Sequence, residues 1–217
     1  MSYNLSHRHL VIRMTKQSID QNTILDEALK LAQQSSWEAF SLTQLASSLD
    51  CGLDIIRHHF RSKDDMAELF FDRADEMMLK KTGDKDFLSL PCERRLLESI
   101  MCWFIQLQSH KSIVREMLFY KLEPGHFHLQ AHGITRVSRT VQWFREVSGR
   151  EHSGLSRIAD EIAVTSAYLA ALSFFLLEQN KELTNTRALL SGLIDKIERT
   201  HQVLAGGNQS KLNKAEW

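Results

Sequence analysis

Apolar residues recur at intervals of three and four through nearly the whole chain, the spacing of one helix face, and no segment shows the strict alternation of a half-buried strand. Only 2 prolines and 9 glycines interrupt 217 residues, and the glycines sit mostly at the edges of the periodic segments, so the pattern predicts an all-α protein. A first helix is expected from about Ile19 to Ser35, with Ile24, Ala28, Leu31 and Ala32 inward and Asp26, Lys30 and Gln33 outward. Trp37 and Phe40 follow in a short connection and are expected as core anchors, because both rings are too large to leave in water at a turn. Ser41 opens a second helix, with Gln44 three residues on to complete a capping box; Leu42, Leu45, Ala46 and Leu49 face inward. That helix stops near Asp50-Cys51-Gly52, where Gly52 is expected to supply the turn. A third short helix runs from about Leu53 to Phe60. Ser62 then caps a fourth, with Asp64 and Asp65 at the positive end of its dipole and Met66, Leu69, Phe70 and Met77 as its apolar stripe.

Residues 82–90 break the periodicity, and Pro91 suits the first turn of a new helix, so a domain boundary is expected there. Beyond it the spacing predicts helices at about 91–109, 112–121, 129–148, 154–179 and 185–204. The segment from Leu155 to Leu177 carries Ile158, Ile162, Ala167, Leu169, Leu172, Phe174, Phe175 and Leu176 on more than one face, which requires partners on two sides. The next helix offers Leu189, Leu190, Leu193, Ile194 and Ile197. This pair either docks on its copy in a second subunit as a four-helix bundle or lines the chain's own core. The organisation expected is a flexible basic arm at 1–17, a three-helix domain at 18–81, a C-terminal bundle at 91–204 and a disordered tail at 205–217.

Charge adds one local feature. The 27 Lys+Arg balance 27 Asp+Glu, yet the first 17 residues hold Arg8, Arg13 and Lys16 and no acid. Such an arm either follows phosphates or is a plain tail. Cys51, Cys92 and Cys102 are odd in number and lack CxxC spacing, so neither a disulfide framework nor a zinc site is indicated. No uninterrupted apolar run of about 18 residues is present, so no membrane partner is expected and the cytoplasm is the expected location. GxSxG, HExxH, a phosphate-binding glycine loop and a dinucleotide fingerprint are missing from the sequence, so neither an enzyme nor a cofactor is expected.

Two short helices joined by a tight turn, with a longer helix before them, have the spacing of a helix-turn-helix. The segment Ile24 to Phe71, with its Ile-Leu-x-x-Ala-Leu opening, the stretch WEAFSLTQLA and His59-Phe60-x-Ser62-Lys63 followed by acids and an apolar helix, resembles the N-terminal domain of the TetR family of transcriptional regulators. The resemblance implies a homodimeric regulator, expected as a repressor. Its helix-turn-helix grips double-stranded DNA at a pseudo-palindromic operator, and a small, mostly apolar effector in the C-terminal domain releases it. The DNA-facing positions implied are Ser41, Thr43, Gln44, Leu53, Asp54, Arg57, His58, His59 and Lys63. Lys63 beside free N–H groups at a helix start suits one phosphate, to which His59 either donates a second hydrogen bond or instead caps its own helix; Phe60 is expected in the core.

The run Leu53-Asp54-Ile55-Ile56-Arg57 departs from the family, which places small polar residues in the turn and an aromatic where Arg57 stands. Arg57 suits a phosphate or a guanine, while Asp54 repels phosphates unless it accepts from a cytosine amino group. This departure keeps an alternative open. Some proteins of ubiquinone biosynthesis look like TetR-fold relatives without DNA binding that hold an isoprenoid lipid. The effector walls expected are Trp103, Met117, Phe119, Tyr120, Trp143, Phe144 and Phe175, all equally suited to a filled core; Arg136, Arg139 and Arg145 either meet an acidic group or are solvated. His126, His128 and His132 are too loosely spaced for a metal site to be expected.

Overall fold

The computed structural model describes residues 19–122, 127–151 and 153–212, and within 120–132 and 204–212 only the backbone. The expected basic arm and the three clustered histidines therefore lie outside the described residues or side chains. Among the described residues every regular element is helical: α1 Gln21–Gln34, α2 Leu42–Ser48, α3 Leu53–His59, α4 Lys63–Leu79, α5 Lys85–Ser89, α6 Cys92–Leu107, α7 Lys111–Leu122, α8 Phe127–Ser148, α9 Gly154–Leu177 and α10 Thr184–Leu212. The chain divides into two compact units after Leu69, inside α4 and ahead of the break expected at 82–90. That break is itself structured, by a 3-10 segment Lys80–Gly83 and by α5, whose Phe87 is buried.

In the first unit α1 starts two residues later than expected, because Asp20 is its cap and accepts the Thr23 N–H at 2.7 Å. Its inward face is Ile24, Leu25, Ala28, Leu29 and Ala32; Leu31 is half-exposed. Trp37 and Phe40 are buried edge-to-face, ring centres 5.3 Å apart, and close the core with Leu45, Ile56, Phe60 and Met66.

In the second unit α6 packs on α8, α9 on α10, and α8 on α9. Their shared centre is aromatic: Phe104 stacks on Phe175 at 5.0 Å and on Tyr168 at 6.0 Å, and Trp103 stacks on Phe71 and meets Tyr168 edge-on. Each such pair adds about 0.5–1.5 kcal/mol to the burial of the rings. The inward stripe of α4 is Met66, Ala67, Phe70, Phe71, Ala74 and Met78, so Met77, expected inside, is on the outer side. Gly149, at φ +71, turns the chain out of α8 in the left-handed conformation that glycine accepts without strain, and the Arg150 N–H closes the turn on the Arg145 carbonyl at 3.0 Å. At the far end α10 runs on to Leu212 through the expected tail. No proline stops it there, and Gly206 and Gly207 cost only about 1 kcal/mol each against alanine.

Among the described residues α9 is the helix long and apolar enough to cross a bilayer, although its apolar residues form no uninterrupted run. One face of it belongs to the core: Val164, Ala167, Tyr168, Ala171, Leu172 and Phe175 pack inward, and Asp160 is buried against Arg145 and Arg150, each Nε at 2.9 Å.

Candidate nucleic-acid interface

The edge of the first unit formed by α2 and α3 is built by three local devices. The Ser41 N–H donates to Gln44 Oε1 at 2.7 Å while the Gln44 N–H donates to Ser41 Oγ at 3.1 Å, the reciprocal capping box the sequence predicts. The other end of α2 closes as a Schellman turn, with Cys51 N–H on the Ala46 carbonyl at 3.0 Å and Asp50 N–H on the Ser47 carbonyl at 3.2 Å. The left-handed residue there is Asp50, at φ 49, and not Gly52 as expected. A short polar side chain tolerates that conformation. Gly52, at φ −81, caps α3, and a Cβ on it would stand 2.1 Å from Asp54 Oδ1. The Asp54 carboxylate folds back over the start of its own helix, and because that side chain is exposed and flexible it could turn aside for a Cβ, so glycine is not required there for space.

On α3 the positions Leu53, Asp54, Arg57 and His58 are exposed and share one stripe at helical spacing, and Ile56 and Phe60 are buried beneath. Ser41, Thr43 and Gln44 are exposed on the α2 side; Ser47, one turn beyond Thr43 and also exposed, belongs to the same edge and is found by extending the i, i+4 spacing. His59 is half-buried, and its ring meets that of His58 edge-on at 5.1 Å. Arg57, His58 and His59 occupy the last turn of α3, at the negative end of the helix, where cationic side chains are favoured.

Lys63 has partners that the sequence did not suggest. Its ammonium donates to the Trp37 carbonyl at 2.9 Å and the Glu38 carbonyl at 3.0 Å, and stands 4.2 Å above the Phe40 ring. Burial pulls it below the usual lysine range. In this structure the half-exposed residue clamps the Trp37–Phe40 connection. What begins α4 is local: Asp65 N–H donates to Ser62 Oγ at 3.3 Å and the Asp65 carboxylate accepts the Arg61 N–H at 2.7 Å.

The second unit does not gather the expected effector residues into one wall. Trp103, Met117, Phe144 and Phe175 are buried in its core, Phe119 is 63% exposed, and the outer edge of Trp143 faces water; the side chain of Tyr120 is outside those described. Arg136 and Arg145, thought free to solvate or to meet a ligand, are both buried in ion pairs. Arg136 holds Asp72 and, at 2.7 Å, Asp75, whose carboxylate also accepts Trp103 Nε1–H at 2.8 Å and faces Thr140. Burial pushes the Asp75 carboxyl up, against the pull of Arg136. Arg139 remains half-exposed, 3.9 Å from Asp72. Among the described residues no three His, Cys, Asp or Glu side chains converge on a metal position.

A polar, partly cationic edge presented by two short helices across a Schellman turn is the geometry of a helix-turn-helix protein. The fold is similar to the crystal structure of a TetR transcriptional regulator from Nitrosomonas europaea ATCC 19718, at 36% identity over 81% of this chain and 96% of that one, with a TM-score of 0.73. A regulatory protein of the tetR family from Rhodococcus RHA1 aligns at 14% identity over 85% of this chain and 97% of that one, with a TM-score of 0.44. No protein-family model and no curated protein matches the chain. On the first of these similarities the chain belongs to the TetR family of transcriptional regulators.

Proposed function

We propose that the protein is a homodimeric repressor whose α3 enters the major groove at each half of a pseudo-palindromic operator, and that a small, mostly apolar effector held in the C-terminal unit releases it. The observation that carries the DNA-binding part is the exposed stripe Leu53, Arg57 and His58 on α3 beside Thr43, Gln44 and Ser47 on α2. Arg57 suits a phosphate or a guanine edge, Leu53 a thymine methyl, and the α2 side chains the flanking phosphates. Dimerisation is supported by Leu155, Ile158, Ile162, Leu169 and Leu177, which lie outward along α9 and form an apolar strip that a lone subunit would leave in water. An effector acts only through its differential affinity for the DNA-binding and released states.

The test is binding of the purified protein to DNA from around its own gene at several salt concentrations, with Arg57→Ala as the variant. Selective, saturable binding is expected, weakened by salt, with a salt slope smaller by about one in Arg57→Ala if the arginine meets a phosphate. Absence of selective binding at low salt would overturn the reading. The internal use of Lys63 gives that outcome a specific meaning, because this lysine has a structural reason to be present in a protein that never touches phosphate. A lipid-holding TetR-fold protein, with an isoprenoid co-purifying, is then the reading that stands.

A further inference from the structure

On the outside of the second unit, away from its aromatic centre, a groove of about 410 Å³ opens between Met77 on α4, the 3-10 segment Lys80–Gly83 and the outer face of α6. The groove is shallow and open to solvent on one side. Its walls divide by chemistry. Met77 and Ile105 supply exposed apolar surface, Ile105 at 50% exposure, and the Cys102 thiol lies half-buried with them, its S–H directed at the Met77 carbonyl. Lys80, Lys81, Asp84, Glu98 and Gln106 supply the polar part.

The charges are unevenly committed. Glu98 is taken by Arg187 through two hydrogen bonds at 2.5 and 3.1 Å, and Asp84 caps α5 by accepting the Asp86 N–H at 2.9 Å. Both carboxylates thus have partners within the fold. The Lys80 ammonium approaches only a thioether, Met77 Sδ at 3.7 Å, which is a weak acceptor. Among the described residues neither Lys80 nor Lys81 has a carboxylate within ion-pair distance. Lys81 is nevertheless close enough to Cys102 to oppose the upward push that burial gives its thiol. The groove therefore sets two uncommitted cations beside an exposed thioether, a thiol and a branched aliphatic side chain.

We propose that this groove binds a small amphipathic carboxylate, its head between Lys80 and Lys81 and its hydrocarbon body along Met77, Cys102 and Ile105. Both parts of such a ligand are needed. Lysine is a point charge without the planar fork that would select a carboxylate by shape, so charge alone gives little affinity at an open surface. Each methylene removed from water adds up to about 0.8 kcal/mol, which makes the tail the main source of binding. The site is separate from the core residues Trp103, Phe144 and Phe175 and does not depend on whether α3 reads DNA.

Cys102 provides a reporter inside the groove. In a Cys51→Ser/Cys92→Ser background of the full chain, octanoate binding is followed by calorimetry and by the rate at which a disulfide reagent modifies Cys102. Octanoate is expected to bind saturably, with acetate and 1-octanol each at least about tenfold weaker. Bound octanoate should slow modification of Cys102 severalfold, by covering the sulfur and by drawing Lys81 away from the thiolate. Lys80→Gln/Lys81→Gln should weaken octanoate about tenfold with an unchanged melting temperature, since both lysines lack structural partners. Three results would overturn the proposal: no binding up to about 10 mM, unchanged affinity in the double lysine variant, or binding that leaves the Cys102 rate unaltered and so places the acid elsewhere.

Discussion

Replacing Lys63 by alanine separates a clamp from a phosphate ligand. The ammonium makes two hydrogen bonds to backbone carbonyls, at 2.9 and 3.0 Å, and one contact with the Phe40 ring at 4.2 Å. Hydrogen bonds to a charged group contribute about 1.5–3 kcal/mol each in protected positions, and a cation over an aromatic ring about 0.5–1 kcal/mol at exposed ones. Lys63 is half-exposed, and the Glu38 carbonyl rehydrates once the ammonium is gone, so the total loss is about 2–3 kcal/mol. For a chain of this length that lowers the melting temperature by about 4–10 °C. Lys63→Met, which keeps most of the stem over Phe40, should lose nearly as much and assign the loss to the hydrogen bonds. The assay is thermal denaturation of both variants, with amide exchange across 36–41 to localise the loss. At temperatures where both proteins are folded, the salt dependence of DNA binding should be the same for wild type and Lys63→Ala. A variant that melts within about 1 °C of wild type yet loses one unit of salt slope would refute the clamp and restore Lys63 to the phosphate backbone.

Asp75→Ala leaves Arg136 and Trp103 Nε1 facing a vacated carboxylate and should cost about 3–5 kcal/mol in thermal or urea unfolding; a loss under about 1 kcal/mol would show that water replaces the carboxylate. Asp50→Gly should stabilise by a few tenths to about 1 kcal/mol, since glycine accepts φ 49 without strain, and a clear destabilisation would mean that the aspartate side chain is needed. Glu178 caps α10, accepting the Asn185 N–H at 3.0 Å and the Thr186 N–H and hydroxyl at 2.9 and 2.5 Å; these bonds and Lys111 outweigh the upward push of burial and hold its carboxyl below the usual range. A depressed folded value contributes stability that is present above about pH 4.3 and lost as pH falls through the folded value. The deficit of Glu178→Gln at neutral pH, about 1 kcal/mol, should therefore shrink in acid, and a deficit constant from pH 7 to about pH 3 would refute the assignment. If the proposed dimer forms through the outward strip of α9, wild type should sediment as a dimer and Ile162→Asp as a folded monomer; a dimer unchanged by the substitution would place the interface elsewhere.

The helical class, most helix positions and the core anchors were legible from the chain alone, because they follow from short-range rules. Ile24, Ala28 and Ala32 share a face at any tertiary arrangement, Ser41 and Gln44 cap each other within four residues, and Trp37 and Phe40 have nowhere to go but inward. What only the tertiary structure decided concerns groups whose partners are distant in sequence or whose direction depends on a rotamer. Lys63 reads as a helix-start cation, and that it also meets the carbonyls of Trp37 and Glu38, 26 and 25 residues earlier, is visible only in the fold. Arg136 and Arg145 read as solvated or as partners of an acidic group until Asp75 and Asp160 are placed against them, and Trp103, Phe144 and Phe175 read equally as pocket or core until Phe144 is seen edge-on to Trp103 and Phe175 stacked on Phe104. The two readings of Gly52 and Asp50 differ by a single backbone angle, and composition carries no information on that angle: both residues are common in turns, and only the chain's path shows which one adopts the left-handed conformation. Local periodicity thus determined where helices form and which faces they bury, while the fate of each charge depended on long-range partners that no spacing rule encodes.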